Sequence, residues 1–254
     1  ASSTQSRVKG IHVIFYWRDE AMTKGIVLSL YDFTGEALKP WAEAGYTCYA
    51  YDIQHSVEGR KEGNINYLHA DLHNIESLFE ILEVHQGEGV VFGMAFPVCT
   101  DMAVSGAAHF ARKAEADPLF QDKAVTYAMW CGELFEDLGV PYFIENPVSV
   151  LATQWRKPDH RFQPYEYGGY IPDNQAEHPR WPEYIAARDA YPKKTCLWTG
   201  GGFVMPTKVS VTVPTGYSTQ HKKLGGKSQR TKDIRSATPR GFAIAVCEAN
   251  MVEY

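Results

Sequence analysis

Apolar and polar positions alternate along the first 150 residues in blocks, each short enough to be one strand or one helix. Ile26-Val-Leu-Ser-Leu30 is a near-continuous apolar run and predicts a strand buried on both faces, followed by a turn at Phe33-Thr34-Gly35. A helical spacing covers Ala37 to Ala44. Thr47-Cys-Tyr-Ala-Tyr51 predicts a second strand ending at Asp52, and Ile65-Asn-Tyr-Leu68 a third ending near Asp71. A helix is expected over Ile75 to Val84, a fourth strand over Gly89-Val-Val-Phe-Gly93, a long helix around Ala124 to Leu138, and a fifth strand at Pro141-Tyr-Phe-Ile144. Strand and helix in regular alternation predict an α/β fold with a doubly wound, Rossmann-like, mostly parallel sheet.

Beyond Pro147 the periodicity is lost. Residues 151–206 are rich in Trp, Tyr and Pro, and 207–240 in Gly, Thr and basic side chains; both read as loops and short strands laid over one rim of the sheet. Thr238 to Val252 predicts a closing apolar helix. The division expected is a core over 1–150, a substrate-facing insert over 151–240, and a C-terminal helix over 241–254 returning to the core.

Composition and charge refine this. Of 254 residues, 44% are hydrophobic and 22% charged, a globular balance that excludes disorder and coiled coil. The longest apolar stretch, Val90 to Val98, is about half of what a bilayer span needs. The opening Ala1-Ser-Ser-Thr-Gln-Ser6 has no charged lead with an apolar core behind it, so no signal peptide is expected. Net charge is −5 but unevenly laid out: residues 193–240 hold ten Lys and Arg against Asp233 alone, whereas the first 192 hold 15 against 27 acids. A basic surface on an acidic body is the expectation, and a phosphate-bearing partner would be drawn to it. The five cysteines stand at least thirty residues apart with no CxxC pair, which argues for a reducing compartment and against structural zinc.

In an open parallel sheet, ligands bind outside the carboxyl ends of the strands. Asp32, Asp52, Asp71, Cys99 and Glu145 all fall at such ends. The turn Asp32-Phe33-Thr34-Gly35 brings small residues beside the backbone, and Asp52 follows Gly35 by 17 residues, where an acid accepts hydrogen bonds from ribose hydroxyls. Asp71 at the third tip could meet an adenine amino group, so the series favours an adenosine ligand. Cys99, directly after the fourth strand in Phe96-Pro97-Val98-Cys99, is a candidate nucleophile; Cys48, Cys131 and Cys247 fall inside apolar elements and read as structural. Glu145 is a candidate acid. Leu224-Gly-Gly-Lys-Ser228 is not a phosphate loop, since its first glycine would fall on His221. His69 and His73 read as non-ligands, and no metal site is expected.

The order of these motifs resembles the cytosine-5 DNA methyltransferases. Ser29-Leu-Tyr-Asp-Phe-Thr-Gly35, Pro40-Trp-Ala-Glu-Ala-Gly-Tyr46, Cys99-Thr-Asp-Met-Ala-Val-Ser-Gly106, Lys193-Lys-Thr-Cys-Leu-Trp198 and Ile234-Arg-Ser-Ala-Thr-Pro-Arg-Gly-Phe-Ala243 are similar to a short branch met in bacteriophages and bacteria. The resemblance implies a sheet of the S-adenosylmethionine-dependent methyltransferase type, in a bacterial or phage-infected host cytoplasm. Asp32, Phe33, Thr34, Gly35, Asp52, Ile53, Asp71 and Pro97 would hold S-adenosylmethionine, Cys99 would be the nucleophile and Glu145 the acid. Thr100, Ser105, Asn146, Arg161, Lys193, Lys194 and Arg235 would face the substrate, DNA or a free cytidine nucleotide. This chain departs from the family at Val98, where a Pro is usual, and at Glu36-Ala37, which replaces a second glycine. It shows no Gln-x-Arg-x-Arg motif, for which Arg156 or Arg161 would substitute, and no large recognition domain. A degenerate fold that binds nucleic acid or protein is the non-enzymatic alternative.

Overall fold

The computed structural model describes residues 23–214, 220, 223–225 and 228–252. Residues 1–22, on which the signal-peptide expectation falls, and Gly226 and Lys227 of the rejected phosphate-loop sequence lie outside the described residues. Five strands are parallel: β1 (Ile26–Leu30), β2 (Thr47–Asp52), β4 (Ile65–His69), β5 (Val90–Ala95) and β6 (Tyr142–Pro147). With β3 (Arg60–Glu62), β7 (His160–Phe162) and β8 (Thr195–Gly200) they form one eight-stranded sheet in the order β3-β4-β2-β1-β5-β6-β8-β7. The strand order reverses between β1 and β5, which is where a crevice opens outside the carboxyl ends. This is the doubly wound, mostly parallel fold expected.

Successive residues of the central strands point to opposite faces, and each face is covered. Ile26, Leu28 and Leu30 pack with α2 (Ile75–His85) and α4 (Phe120–Leu138) through Leu78, Ile81, Leu134 and Phe135. Val27, Phe92, Met94 and Phe143 pack on the other face against Trp41 of α1 (Lys39–Glu43) and against Phe242, Ala245 and Val246. The last three belong to the C-terminal helix, Arg240–Asn250. Phe242 stacks on Phe162 with ring centroids 3.9 Å apart and meets Phe143 edge-on at 5.9 Å. Burial on both faces explains why these strands read as continuous apolar runs rather than alternating ones. None of the described helices is long and apolar enough to cross a membrane.

Two expectations are corrected, and three elements are added. Residues 151–206 do not simply overlie the rim: Thr195–Gly200 is an interior strand, inserted antiparallel between β6 and β7. The basic stretch contains a helix, Gln229–Ser236, capped by Ser228, whose Oγ accepts from Thr231 N at 3.2 Å. The β3 hairpin, α3 (Phe110–Ala116) and α5 (Leu151–Gln154) went unpredicted. We number the two C-terminal helices α6 (Gln229–Ser236) and α7 (Arg240–Asn250).

The start of α7 is held by a remote acid. Asp189 is buried, and its Oδ2 accepts from Gly241 N at 2.9 Å, while Oδ1 has no partner among the described residues. An anion suits a helix N-terminus, but burial prevails and raises the Asp189 pKa to about 6, with the Gly241 bond and the Arg240 charge opposing. A folded-state pKa above the unfolded carboxylate value of about 3.9 contributes stability that is complete below pH 4 and lost as pH rises through 6. Buried His178 works the other way: burial lowers its pKa to about 4, so its contribution is complete above about pH 6.5 and lost as pH falls towards 4. Asp189 adopts a left-handed backbone (φ 51°) that Asn tolerates. Asp189→Asn should therefore gain about 2–3 kcal/mol relative to wild type between pH 4 and pH 7, read as the difference between their urea-unfolding free energies; a difference independent of pH would refute this.

Candidate active site

The crevice begins where β1 ends. Tyr31 leaves the strand in a left-handed conformation (φ 57°), rare for a bulky residue, and throws the chain off the sheet. Asp32 then builds the turn: Oδ2 accepts from Ser29 Oγ at 2.8 Å and Oδ1 from Gly35 N at 2.7 Å. Desolvation raises its pKa and these two bonds oppose it. The carboxylate expected to face a ligand is thus spent on shaping the loop. Gly35 is the one position there where a side chain is excluded twice over, by φ 67° and by the Tyr67 hydroxyl where a Cβ would stand.

At the next tips the acids differ. Asp52 is buried, with Oδ1 taken by Gln54 N at 2.8 Å and Gln54 Nε2 at 3.1 Å, which leaves Oδ2 for a ligand. Its neighbour Ile53 is 57% exposed. Phe33 stacks on buried His55, ring centroids 5.5 Å apart. Asp71 is exposed, and its Oδ1 accepts from His73 N at 3.1 Å in a local turn. His69 Nδ1 is engaged with His55 O at 3.0 Å, and His73 stacks on Tyr127.

Across the switch point, β5 and β6 pair in parallel only as far as Ala95 and Ile144. Beyond them the chains part. Phe96 N still bonds Leu30 O of β1 at 3.0 Å, while β6 continues through Glu145, Asn146 and Pro147, paired on its far edge with β8. Glu145 is therefore not at a free tip, as the sequence predicted, but inside a strand whose other edge opens on the crevice. Asn146 spans the gap: its Nδ2 donates to Pro97 O at 3.0 Å, and the residue is 1% exposed. Cys99 opens a 3-10 turn whose first carbonyl accepts from Met102 N and Ala103 N. The following chain is zipped to residues 148–150 by Val104 N to Val148 O and Val150 N to Met102 O, both 3.0 Å.

A narrow cleft of about 10 Å3, room for no more than a water molecule, is lined by Phe96, Glu145, Phe162, Lys193, Thr238 and Phe242. Burial raises the Glu145 pKa and Lys193 opposes. Burial likewise raises the half-buried Cys99 thiol, Glu145 adds to this, and Lys193 lowers it. The other four cysteines are buried. Cys99 is thus the partly exposed cysteine among the five, its thiol held above the ordinary value because burial and Glu145 outweigh Lys193.

The remaining predicted residues divide. Lys193 joins the cleft. Thr100, Ser105, Lys194 and Arg235 are exposed on the surrounding rim, Arg235 donating to Leu224 O at 2.8 Å. Arg161, opposite Cys196 across β7 and β8, engages that thiol. Arg156 is turned to Asp159 at 2.6 Å and Thr199 O at 3.0 Å. Sequence reasoning missed the apolar lip beside Cys99, where Val98, Val104 and Val148 are 40–55% exposed; three valines scattered over fifty positions carry no local signal.

No family model matches this chain, and no curated protein does. Among solved structures it is similar to the MycE methyltransferase from the mycinamycin biosynthetic pathway in complex with Mg and SAH. Identity is 15% and the TM-score 0.31, over 80% of this chain and 49% of that one. The chain thus spans about half of that protein, and a likeness this faint carries no functional argument.

Removing the Asn146 side chain should free the Cys99 loop. Asn146→Ala is expected to cost about 1–3 kcal/mol and to speed hydrogen exchange at residues 98–104 while leaving β1 protected. Equal protection of that loop in both proteins would show that the bond to Pro97 does not hold it.

Proposed function

We propose that this protein transfers the methyl group of S-adenosylmethionine to carbon 5 of cytosine in DNA. The observation that carries the reading is the placing of a half-buried thiol, Cys99, in the turn after β5 and of an acid, Glu145, on the neighbouring strand β6, where the ladder between β5 and β6 has ended. The residues along that crevice fit the cofactor. Gly35 keeps backbone clear of side chain, Asp52 has a carboxylate oxygen available to ribose hydroxyls, and Ile53 and Phe33 offer apolar faces to a base. When bound, the cofactor supplies an electrophilic methyl group.

The chain's own groups do the rest. Carbon 5 of cytosine is a poor nucleophile. Addition of the Cys99 thiolate at carbon 6, with protonated Glu145 donating a hydrogen bond to ring nitrogen 3, turns the ring into an enamine whose carbon 5 can attack. The raised Glu145 pKa favours the protonated form this requires. Loss of the carbon-5 proton and expulsion of the thiolate then restore the ring. A base in a duplex must first leave the stack, at a cost of a few kcal/mol. The exposed valine lip and the cations Lys194 and Arg235 suit a polymer's bases and phosphates better than a lone nucleotide.

Transfer of radiolabelled methyl groups to duplex DNA, single-stranded DNA and dCMP, offered in parallel, tests this. Label is expected on cytosine carbon 5 of DNA, abolished in Cys99→Ser and reduced about 10²–10⁴-fold in Glu145→Gln, with cofactor binding retained in both. Undiminished transfer by Cys99→Ser would sink the mechanism. Label confined to dCMP would reassign the substrate to a free nucleotide.

A further inference from the structure

The carboxylate of Asp52 is the end of a row of side chains. Asp52 Oδ1 accepts from Gln54 N at 2.8 Å and from Gln54 Nε2 at 3.1 Å. Gln54 Oε1 accepts in turn from Gln229 Nε2 at 2.6 Å, across 175 positions of chain, and the same nitrogen donates to Asp233 Oδ1 at 2.7 Å. A carboxylate thus closes the row at each end and two amides fill it. Because a carboxylate only accepts, each amide has one orientation. Gln54 turns its nitrogen to Asp52 and its oxygen to Gln229, and Gln229 spends both amide N–H groups, one on Gln54 and one on Asp233. Turning either amide over would set oxygen against oxygen.

Gln229 is the first residue of α6. That helix and the segment ahead of β8 build a small core of their own, in which Ile234 and Ala237 pack with Trp181, Ile185 and Tyr191. This unit meets the rim of the sheet beside both turns that the cofactor would occupy. Gln229 reaches Gln54, two residues after Asp52. Arg180, next to Trp181, donates from Nη1 to Glu36 Oε1 at 3.3 Å, next to Gly35; Glu36 is buried and the same oxygen meets Lys39 at 2.8 Å. At the far end of α6, Arg235 O accepts from Lys193 Nζ at 2.9 Å. Exposed along the helix are Arg230, Lys232 and Arg235, against Asp233 alone, whose Oδ1 is already occupied by Gln229. Cations set out in this way attract phosphates. One element therefore carries the basic side chains and, through its first residue, the group that orients the ribose acid.

We propose that Gln54 and Gln229 are positioning residues that join Asp52 to the basic helix, so that cofactor on Asp52 and nucleic acid on α6 each tighten the binding of the other. A ribose held by Asp52 fixes the carboxylate, the carboxylate fixes Gln54, and Gln54 fixes the first turn of α6. Phosphates lying along the helix favour the same seating from the opposite end. The factor by which one ligand tightens the other is equal in both directions, and one partly exposed hydrogen bond carries a factor of about three to ten. Both ligands are those of the methyl-transfer reading, and to that extent the inference rests on it.

The test has two readouts, both on the full chain. S-adenosylhomocysteine, which binds without turnover, should slow hydrogen exchange across residues 229–236 in wild type and not in Gln229→Ala. A cytosine-containing oligodeoxynucleotide should lower the dissociation constant of S-adenosylhomocysteine by about threefold to tenfold in wild type, with the same factor in the reverse titration. In Gln229→Ala and Gln54→Ala the factor should fall below about twofold. Gln229→Lys, whose ammonium still donates to Gln54 and Asp233, should keep it, and Gln229→Glu should lose it. Lys232→Ala, outside the row, should weaken DNA binding and keep the factor, which separates lost coupling from lost charge. Urea unfolding identifies any variant that is misfolded. Unchanged exchange over 229–236 when S-adenosylhomocysteine is added to wild type, or a wild-type factor in folded Gln229→Ala, would overturn the proposal. Slowed exchange with neither DNA binding nor methyl transfer would defeat the functional reading and leave the row standing. Methyl transfer to DNA without mutual tightening would do the reverse, and no binding of S-adenosylhomocysteine would overturn both.

Discussion

The hydrogen bond from the Asn146 amide to the Pro97 carbonyl sets the width of the opening at which the chemistry would occur. A parallel sheet binds ligands only where neighbouring strands part, yet parting chains lose the ladder that fixes their separation. Here the ladder between β5 and β6 ends at Ala95 and Ile144, and one buried side chain replaces it two residues later. Because the carbonyl needs a donor, the amide's orientation is set, which leaves Oδ1 buried without a partner among the described residues. β8 supports the same region from behind, so Glu145 is held by backbone pairing on one side and faces the opening on the other.

Asp32, Asp189, Glu36 and Glu145 are all withdrawn from water but differ in their compensation. Asp32 is surrounded by donors from its own turn and serves as scaffold. Asp189 has one backbone donor and a nearby Arg240, too little to offset its desolvation. Glu36, fully buried, meets Lys39 at 2.8 Å and Arg180 at 3.3 Å. Glu145 has neither a donor cage nor a close ion pair among the described residues, only the charge of Lys193 at longer range. That lack of close partners suits a group whose proton has to move.

How much of this was legible follows from what sets each element. β1, β2, β4 and β5 are local apolar runs ended by acids or turns, and their tip residues could be read off directly. β8 could not: Thr195-Cys-Leu-Trp198 is as short as a loop fragment, lies among irregular aromatics, and becomes a strand only because β6 and β7 offer it two edges. α6 was hidden by its composition, since a helix of Gln, Arg, Thr, Lys and Asp with Ile234 alone fully buried has no apolar period to detect. The roles of Asn146 and Lys193 depend on partners 49 and 42 positions away. Residue type made both candidates; tertiary pairing decided what they do. The same holds for Arg161, whose sequence position suggested the base and whose side chain meets a thiol.

The place of β8 also orders the birth of the protein. On the ribosome β7 emerges before the strand that must separate it from β6, so residues 160–162 have nowhere to pair until 195–200 have followed them. In that interval the edge of β6, bearing Phe143 and Ile144, stands open in the nascent chain. An open apolar edge invites pairing with other chains. Slowing translation across residues 163–194 would prolong that interval, and the yield of soluble protein would then depend on codon choice in a stretch that contributes little to the sheet itself.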